Sequence, residues 1–182
     1  MKFVILYGWE GGPDLNWFPW LKEELQKLNQ EVKIPALPNA DFPQMEEWLS
    51  FLNEFLGKEK KPVVLIGHSL GAVLILRYLE QQKKTPPVKM GILVAGGLEN
   101  RRSIPQIANF FEKPFDFSKI RLSAEKFISI SGTDDPFTPQ EISQRLANSL
   151  GTEPIWVEKG GHLAQEWGYT ELPILLKQLK KN

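Results

Sequence analysis

A serine stands between two glycines at residues 67–71, in the order Gly67, His68, Ser69, Leu70, Gly71. An apolar run precedes this stretch and good helix formers follow it, which is typical of a sharp turn between a strand and a helix. Glycines two positions before and two positions after the serine let the strand and the helix approach without side-chain collision. We therefore expect Ser69 to present its hydroxyl at the carboxyl end of a strand, where it can act as a nucleophile.

A serine hydroxyl is a poor nucleophile unless a base takes its proton, and the base is usually a histidine held by a carboxylate. The chain contains two histidines. His68 adjoins Ser69, and neighbouring side chains in such a turn point in different directions. His162 follows Gly160 and Gly161 after a short apolar run, so it is the predicted base.

Two aspartates, Asp134 and Asp135, are candidates for the carboxylate that orients this histidine. Both follow a predicted strand and precede His162, which is the order that hydrolases with this kind of turn use. Pro136 restrains the backbone of Asp135 towards an extended conformation, so Asp135 is the favoured acid and Asp134 the alternative. Either aspartate could instead form a turn or cap the next helix.

Acyl transfer also requires donors that stabilise the oxyanion. The backbone amide of Leu70 is the first predicted donor, and the amide of Trp9, in the glycine-rich loop 8–12, is the second. Reading this loop as a phosphate site is disfavoured, because Glu10 would repel phosphate and Pro13 has no amide. The predicted chemistry requires no metal and no cofactor.

Strands and helices alternate along the chain, which predicts an α/β fold with a mostly parallel sheet covered by helices on both faces. One domain over residues 1–182 is expected, with a proline-marked loop at Pro86 and Pro87. Thr138 and Glu141 predict a capping box, with Pro139 at the first helical position. The predicted strands cover residues 2–7, 32–34, 63–66, 88–95, 126–131 and 155–157.

Composition restricts the partners. Lys plus Arg equals Asp plus Glu at 22 each, so no net field favours nucleic acid or an anionic membrane, and the expected partner is small and neutral. The absence of cysteine excludes disulfides, thiolate nucleophiles and cysteine-ligated zinc. The apolar run at residues 3–7 is too short for a signal peptide, and no run reaches transmembrane length, so a cytoplasmic location is expected.

The turn at residues 67–71, the segment 132–139 and the Gly161, His162 pair resemble those of the small serine hydrolases that include retinoblastoma-binding protein 9 and bacterial YdeN proteins. The resemblance covers nearly the whole chain. It implies a compact α/β-hydrolase fold with little or no cap domain, and an esterase-like activity. It also implies that the second aspartate of the pair, Asp135, is the triad acid. Leu70 is larger than the residue that some members carry there, which would narrow the pocket.

We therefore expect hydrolysis of small carboxylic esters through an acyl-enzyme on Ser69. An amidase or a thioesterase would use the same residues. A protein-binding module, with the aromatic segment 110–117 as its docking surface, is an alternative from another class. Residues 99–120 form the most lid-like stretch, in which Arg101 and Arg102 are either solvated or bind an acidic substrate group.

Overall fold

The computed structural model describes residues 1–57, 59, 61–82 and 88–181, so the loop at Pro86 and Pro87 lies outside the described residues. Six strands form one sheet in the order β2-β1-β3-β4-β5-β6, and every neighbouring pair is parallel. The strands are β1 (Lys2–Leu6), β2 (Glu31–Lys33), β3 (Val63–His68), β4 (Val88–Val94), β5 (Phe127–Gly132) and β6 (Pro154–Val157).

Helices cover both faces of this sheet. All residues of β3 and β5 are buried, and since successive side chains point to opposite faces, both faces must be covered. The helices are α1 (Phe18–Lys27), α2 (Met45–Leu56), α3 (Leu70–Gln81), α4 (Phe117–Leu122), α5 (Gln140–Leu150) and α6 (Pro173–Lys180). The predicted α/β architecture is confirmed. Among the helices of the described residues, none has the length and apolar character to cross a membrane.

The strand order places a topological switch point between β1 and β3. The chain leaves β1 towards β2 on one side and returns to form β3 on the other side. In open parallel sheets, ligands bind outside the carboxyl ends of the strands at such a point. The loop 8–12 follows β1 and the turn at Ser69 follows β3, so both lie at this edge of the sheet.

Two local predictions differ from the structure. β3 continues to His68 and α3 begins at Leu70, so the turn between them consists of Ser69 alone. The predicted capping box is also wrong: Pro139 occupies the N-cap of α5, and the Thr138 hydroxyl donates to Asp135.

Candidate active site

The turn at Ser69 is strained. Its backbone has φ 54° and ψ −122°, a region that residues with a side chain rarely adopt. The Ser69 amide donates to the carbonyl of Val94 at 2.9 Å, which fixes the turn against β4. A Cβ on Gly67 would lie 2.5 Å from the Ala72 nitrogen, and one on Gly71 would lie 2.2 Å from the Leu6 carbonyl oxygen. Only glycine fits at these two positions, which is the steric reason for the spacing.

Two backbone amides beside Ser69 are free of backbone partners within the described residues. The Leu70 amide is at the N-terminus of α3, where the helix leaves its first N–H groups unpaired. The Trp9 amide lies in the loop after β1, and the indole of Trp9 anchors this loop by donating to the Asp41 carbonyl at 2.9 Å. Both residues line the same pocket as Ser69. The arrangement can stabilise negative charge on a bound oxygen.

His162 and Asp135 form a buried pair. Nδ1–H of His162 donates to Oδ2 of Asp135 at 2.8 Å, and the aspartate side chain is fully buried. This bond fixes the tautomer of the imidazole and leaves Nε2 free to accept a proton. His162 and Ser69 line one pocket.

The loop of Asp135 holds the carboxylate in place. Oδ1 accepts the amides of Phe137 and Thr138 at 2.8 and 3.1 Å, and Oδ2 also accepts the Thr138 hydroxyl at 2.6 Å. Burial opposes ionisation of this carboxyl, but the hydrogen bonds from His162, Thr138 and Phe137 outweigh it, so the pKa of Asp135 lies below its usual value. Asp135 is therefore an ionised acceptor at neutral pH.

The alternative carboxylate, Asp134, has a different position. Its side chain is exposed, and Oδ1 accepts the amide of Gly161 at 2.8 Å. The structure thus pairs Asp135 with the imidazole and Asp134 with the backbone next to His162. Asp134 can anchor the histidine loop, but it does not contact the ring.

His68 also supports the histidine loop, a function that its sequence position did not suggest. Nε2–H of His68 donates to the backbone carbonyl of His162 at 2.9 Å, and the Trp17 indole donates to the next carbonyl, that of Leu163, at 3.0 Å. Burial, with a smaller contribution from the nearby His162, lowers the pKa of His68 to about 3. His68 is therefore neutral. It lies next to Ser69 in the chain, and its hydrogen bond anchors the backbone of the predicted base, His162.

The pocket over Ser69 has a volume of about 320 Å³, at the lower end of the range for small-molecule sites. Arg101, predicted to be solvated or to bind an acidic group, is exposed and paired with Glu141. The guanidinium carbon of Arg102 lies 4.8 Å from the ring centre of Phe137. Large apolar residues on several elements line the pocket, among them Leu15, Val73, Ile104, Ile107, Phe111, Phe137 and Trp167.

Aromatic residues contribute to both the core and the pocket. Trp17 and Phe110 are fully buried, and Phe110 packs edge-on against Trp48 with ring centres 5.3 Å apart. Phe111 and Trp167 line the pocket instead. In residues 1–57, 59, 61–82 and 88–181, no group of three or more His, Asp or Glu side chains is placed to hold a metal ion.

Comparison with known proteins identifies the family of this chain. The family model described as serine hydrolase matches residues 3–181, almost the entire chain. The chain belongs to the serine hydrolase family. This serine hydrolase is 32% identical over 174 residues to the YdeN protein of Bacillus subtilis (strain 168), covering 96% of this chain and 92% of YdeN. It is 29% identical over 187 residues to the serine hydrolase RBBP9 of Rattus norvegicus, covering 98% of this chain and 95% of RBBP9.

The fold of this serine hydrolase is similar to a solved structure of the same group. The crystal structure of the B. subtilis ydeN gene product superposes with a TM-score of 0.93 at 30% identity, covering 99% of this chain and 97% of that one. A hydrolase of the α/β superfamily from Xanthomonas campestris superposes with a TM-score of 0.70 at 19% identity and shows the fold alone. The predicted family and the predicted α/β-hydrolase fold are confirmed.

Proposed function

We propose that this serine hydrolase cleaves small carboxylic esters through an acyl-enzyme on Ser69. The observation that carries the proposal is the 2.8 Å bond between His162 Nδ1 and Asp135 Oδ2, at a pocket that also contains the strained Ser69. A nucleophile, a base and a carboxylate that orients the base are the parts that acyl transfer requires.

In the first half of the reaction, Ser69 Oγ attacks the ester carbonyl carbon and its proton passes to His162 Nε2. The carbonyl oxygen becomes an oxyanion, which accepts hydrogen bonds from the amides of Leu70 and Trp9. Asp135 stabilises the imidazolium and keeps its orientation. When the tetrahedral intermediate collapses, the alkoxide leaves with the proton from Nε2.

In the second half, a water molecule gives a proton to His162 Nε2 and attacks the acyl carbonyl carbon. Collapse of the second intermediate releases the carboxylic acid and returns the proton to Ser69 Oγ. All proton transfers pass through one imidazole nitrogen, because Nδ1 stays bonded to Asp135. An amide or a thioester could follow the same steps with another leaving group.

The docking alternative has less support. Phe110, the first residue of the proposed docking segment 110–117, is fully buried and unavailable to a partner. The ring of Phe115 packs on the guanidinium of Arg77, with 3.8 Å between the guanidinium carbon and the ring centre. These two aromatic side chains thus contribute to the fold.

Labelling with a fluorophosphonate probe, followed by peptide mapping, tests the proposed nucleophile. We expect the label on Ser69, hydrolysis of p-nitrophenyl butyrate by the wild type, and loss of both in Ser69→Ala. Ser103→Ala is the matched control, because Ser103 is an exposed serine that also has a positive φ, 51°. Absence of label on folded wild-type protein, or full activity in Ser69→Ala, would overturn the proposal.

A further inference from the structure

Arg77 is a buried arginine on α3, two turns after Ser69. Its exposure is 5%, although α3 is otherwise mostly apolar. Residues four apart share one face of a helix, so Arg77 lies on the face of Val73, which lines the pocket. Burying a guanidinium costs free energy unless its N–H donors are satisfied. The hydrogen-bond partners of Arg77 therefore identify the part of the structure that it stabilises.

Three backbone carbonyls of one loop accept from Arg77. Nε and Nη2 both donate to the carbonyl of Phe110 at 3.1 Å, Nη2 also donates to that of Lys113, and Nη1 donates to that of Pro114 at 3.4 Å. Phe110 is the last residue of the 3-10 helix Pro105–Phe110, where carbonyls have no partner within the helix. The guanidinium supplies the donors that this buried backbone needs.

Side chains complete the same cluster. Nη1 of Arg77 pairs with Oε2 of Glu80 at 2.9 Å, and the other carboxylate oxygen of Glu80 accepts the amide of Asp116. The Phe115 ring covers the guanidinium. Arg77 and Glu80 lie on the helix that begins at the nucleophile, and together they bind the loop from Phe110 to Asp116. We call these two residues the clamp.

The apolar wall of the pocket consists of Ile104 and Ile107, which precede this loop, and Phe111, which lies in it. A second anchor fixes the wall from another side: Asn109 Oδ1 accepts the amide of Met45 at 2.8 Å, where α2 begins. The stretch 99–120, predicted to be the most lid-like, is thus attached to α2 and α3. The clamp thus attaches the wall to α3, the helix that begins directly after Ser69.

We propose that Arg77 is a positioning residue and that the apolar wall it fixes binds the acyl chain of the substrate. The proposal rests on the proposed ester hydrolysis and adds a substrate class to it, acyl groups with an apolar chain. A short acyl group reacts at Ser69 without reaching the wall. A longer chain gains binding energy from the wall, and only while the wall is held close.

The test compares p-nitrophenyl acetate with p-nitrophenyl hexanoate in the wild type, Arg77→Lys and Arg77→Met. Lysine cannot reproduce the planar set of N–H donors, and methionine has no donor at all. Both variants should therefore loosen the wall. We expect KM for the hexanoate to rise about tenfold, with less than about a threefold change in KM for the acetate. Arg121→Met, which removes an exposed arginine of α4, is the matched control and should change neither value.

A second measurement follows the wall without substrate. Hydrogen exchange of the amides at 106–113, read by mass spectrometry, should be faster in Arg77→Met than in the wild type. If Arg77→Met does not fold, Glu80→Gln replaces it, because it removes the negative charge that pairs with Arg77 and keeps an oxygen for the Asp116 amide. We then expect a smaller change in the same direction.

Different outcomes would contradict the role of Arg77, the ligand of the wall and the proposed function. Equal losses with both esters, or unchanged exchange at 106–113, would overturn the role of Arg77. Equal activity of the wild type on both esters would contradict the proposal that the wall binds the acyl chain. If the wild type hydrolyses neither ester and takes no fluorophosphonate label, the proposed function fails, whereas the exchange measurement still reports on the clamp.

Discussion

Replacing Asp135 with asparagine should remove most of the activity and keep the fold. Oδ1 of Asp135 accepts the amides of Phe137 and Thr138, so the asparagine carbonyl oxygen must take that position. Its NH₂ group is then directed at Nδ1 of His162, where the wild type has an acceptor. Two donors cannot face each other, so the imidazole proton moves to Nε2. The nitrogen that should take the proton of Ser69 is then already protonated.

The size of the effect follows from this wrong tautomer. The same substitution in a serine protease triad lowers kcat by about 10⁴, and a comparable loss here corresponds to about 5 kcal/mol of transition-state stabilisation. The loss should appear in kcat rather than in KM, because Asp135 is buried beneath the imidazole and does not line the pocket. Fluorophosphonate labelling of Ser69 should become slower by a similar factor.

Asp134→Asn is the matched control. Asp134 is exposed, and its contact with the histidine loop is one oxygen that accepts the Gly161 amide, which an asparagine oxygen also can accept. We expect kcat on p-nitrophenyl butyrate to change by less than about threefold. Melting temperatures of both variants show whether the fold is kept. Folded Asp135→Asn with more than about a tenth of wild-type kcat, or an equal loss in Asp134→Asn, would refute the assignment of the acid.

Two further substitutions test the support of the site. His68→Phe removes the donor to the His162 carbonyl and leaves a buried group unsatisfied, so the histidine loop should shift, and a misplaced base should lower kcat about 10- to 100-fold. His68→Gln, which keeps an N–H donor, should recover part of this loss, and equal loss in both variants would argue against the bond. Gly71→Ala should lower the melting temperature by about 8 °C or more, because the new Cβ would lie 2.2 Å from the Leu6 carbonyl oxygen. Gly12→Ala, whose Cβ would meet no atom closer than 4.0 Å, should change it little, and a similar drop in both would contradict the steric argument.

Local pattern was sufficient to predict the fold class. Most of the strands contain a short apolar run next to glycine, proline or charged residues, although β2 has only one buried residue, Val32. The alternation of strands with helices then predicts a mostly parallel sheet. Boundaries were less accurate where tertiary contacts set them. β3 ends at His68, two residues beyond the predicted strand 63–66, and Gly71 at the start of α3 packs against the carbonyls of Leu6 and Tyr7. That contact joins residues far apart in the chain, and a local pattern contains no information about it.

Residues that support the site through long-range contacts could not be predicted. Arg77 stands among leucines in an apolar helix, and its partners Phe110 and Pro114 lie 33 and 37 residues further along the chain. The neighbours of an arginine in the sequence do not identify the groups that it contacts in the fold. The one available signal was a charged residue within an otherwise apolar helix face, which predicts a buried partner but does not identify it.

The two interpretations of Asp135 proved compatible. As a turn residue, Asp135 accepts the amides of Phe137 and Thr138 through Oδ1, and as a partner of the imidazole it accepts from His162 through Oδ2. The turn orients Oδ2 towards the ring, because hydrogen bonds from two backbone amides fix the plane of the carboxylate. His68 follows the same logic. Its adjacency to Ser69 prevents it from acting as the base, and the same adjacency lets its bond to the His162 carbonyl connect the backbone of the base to the backbone of the proposed nucleophile.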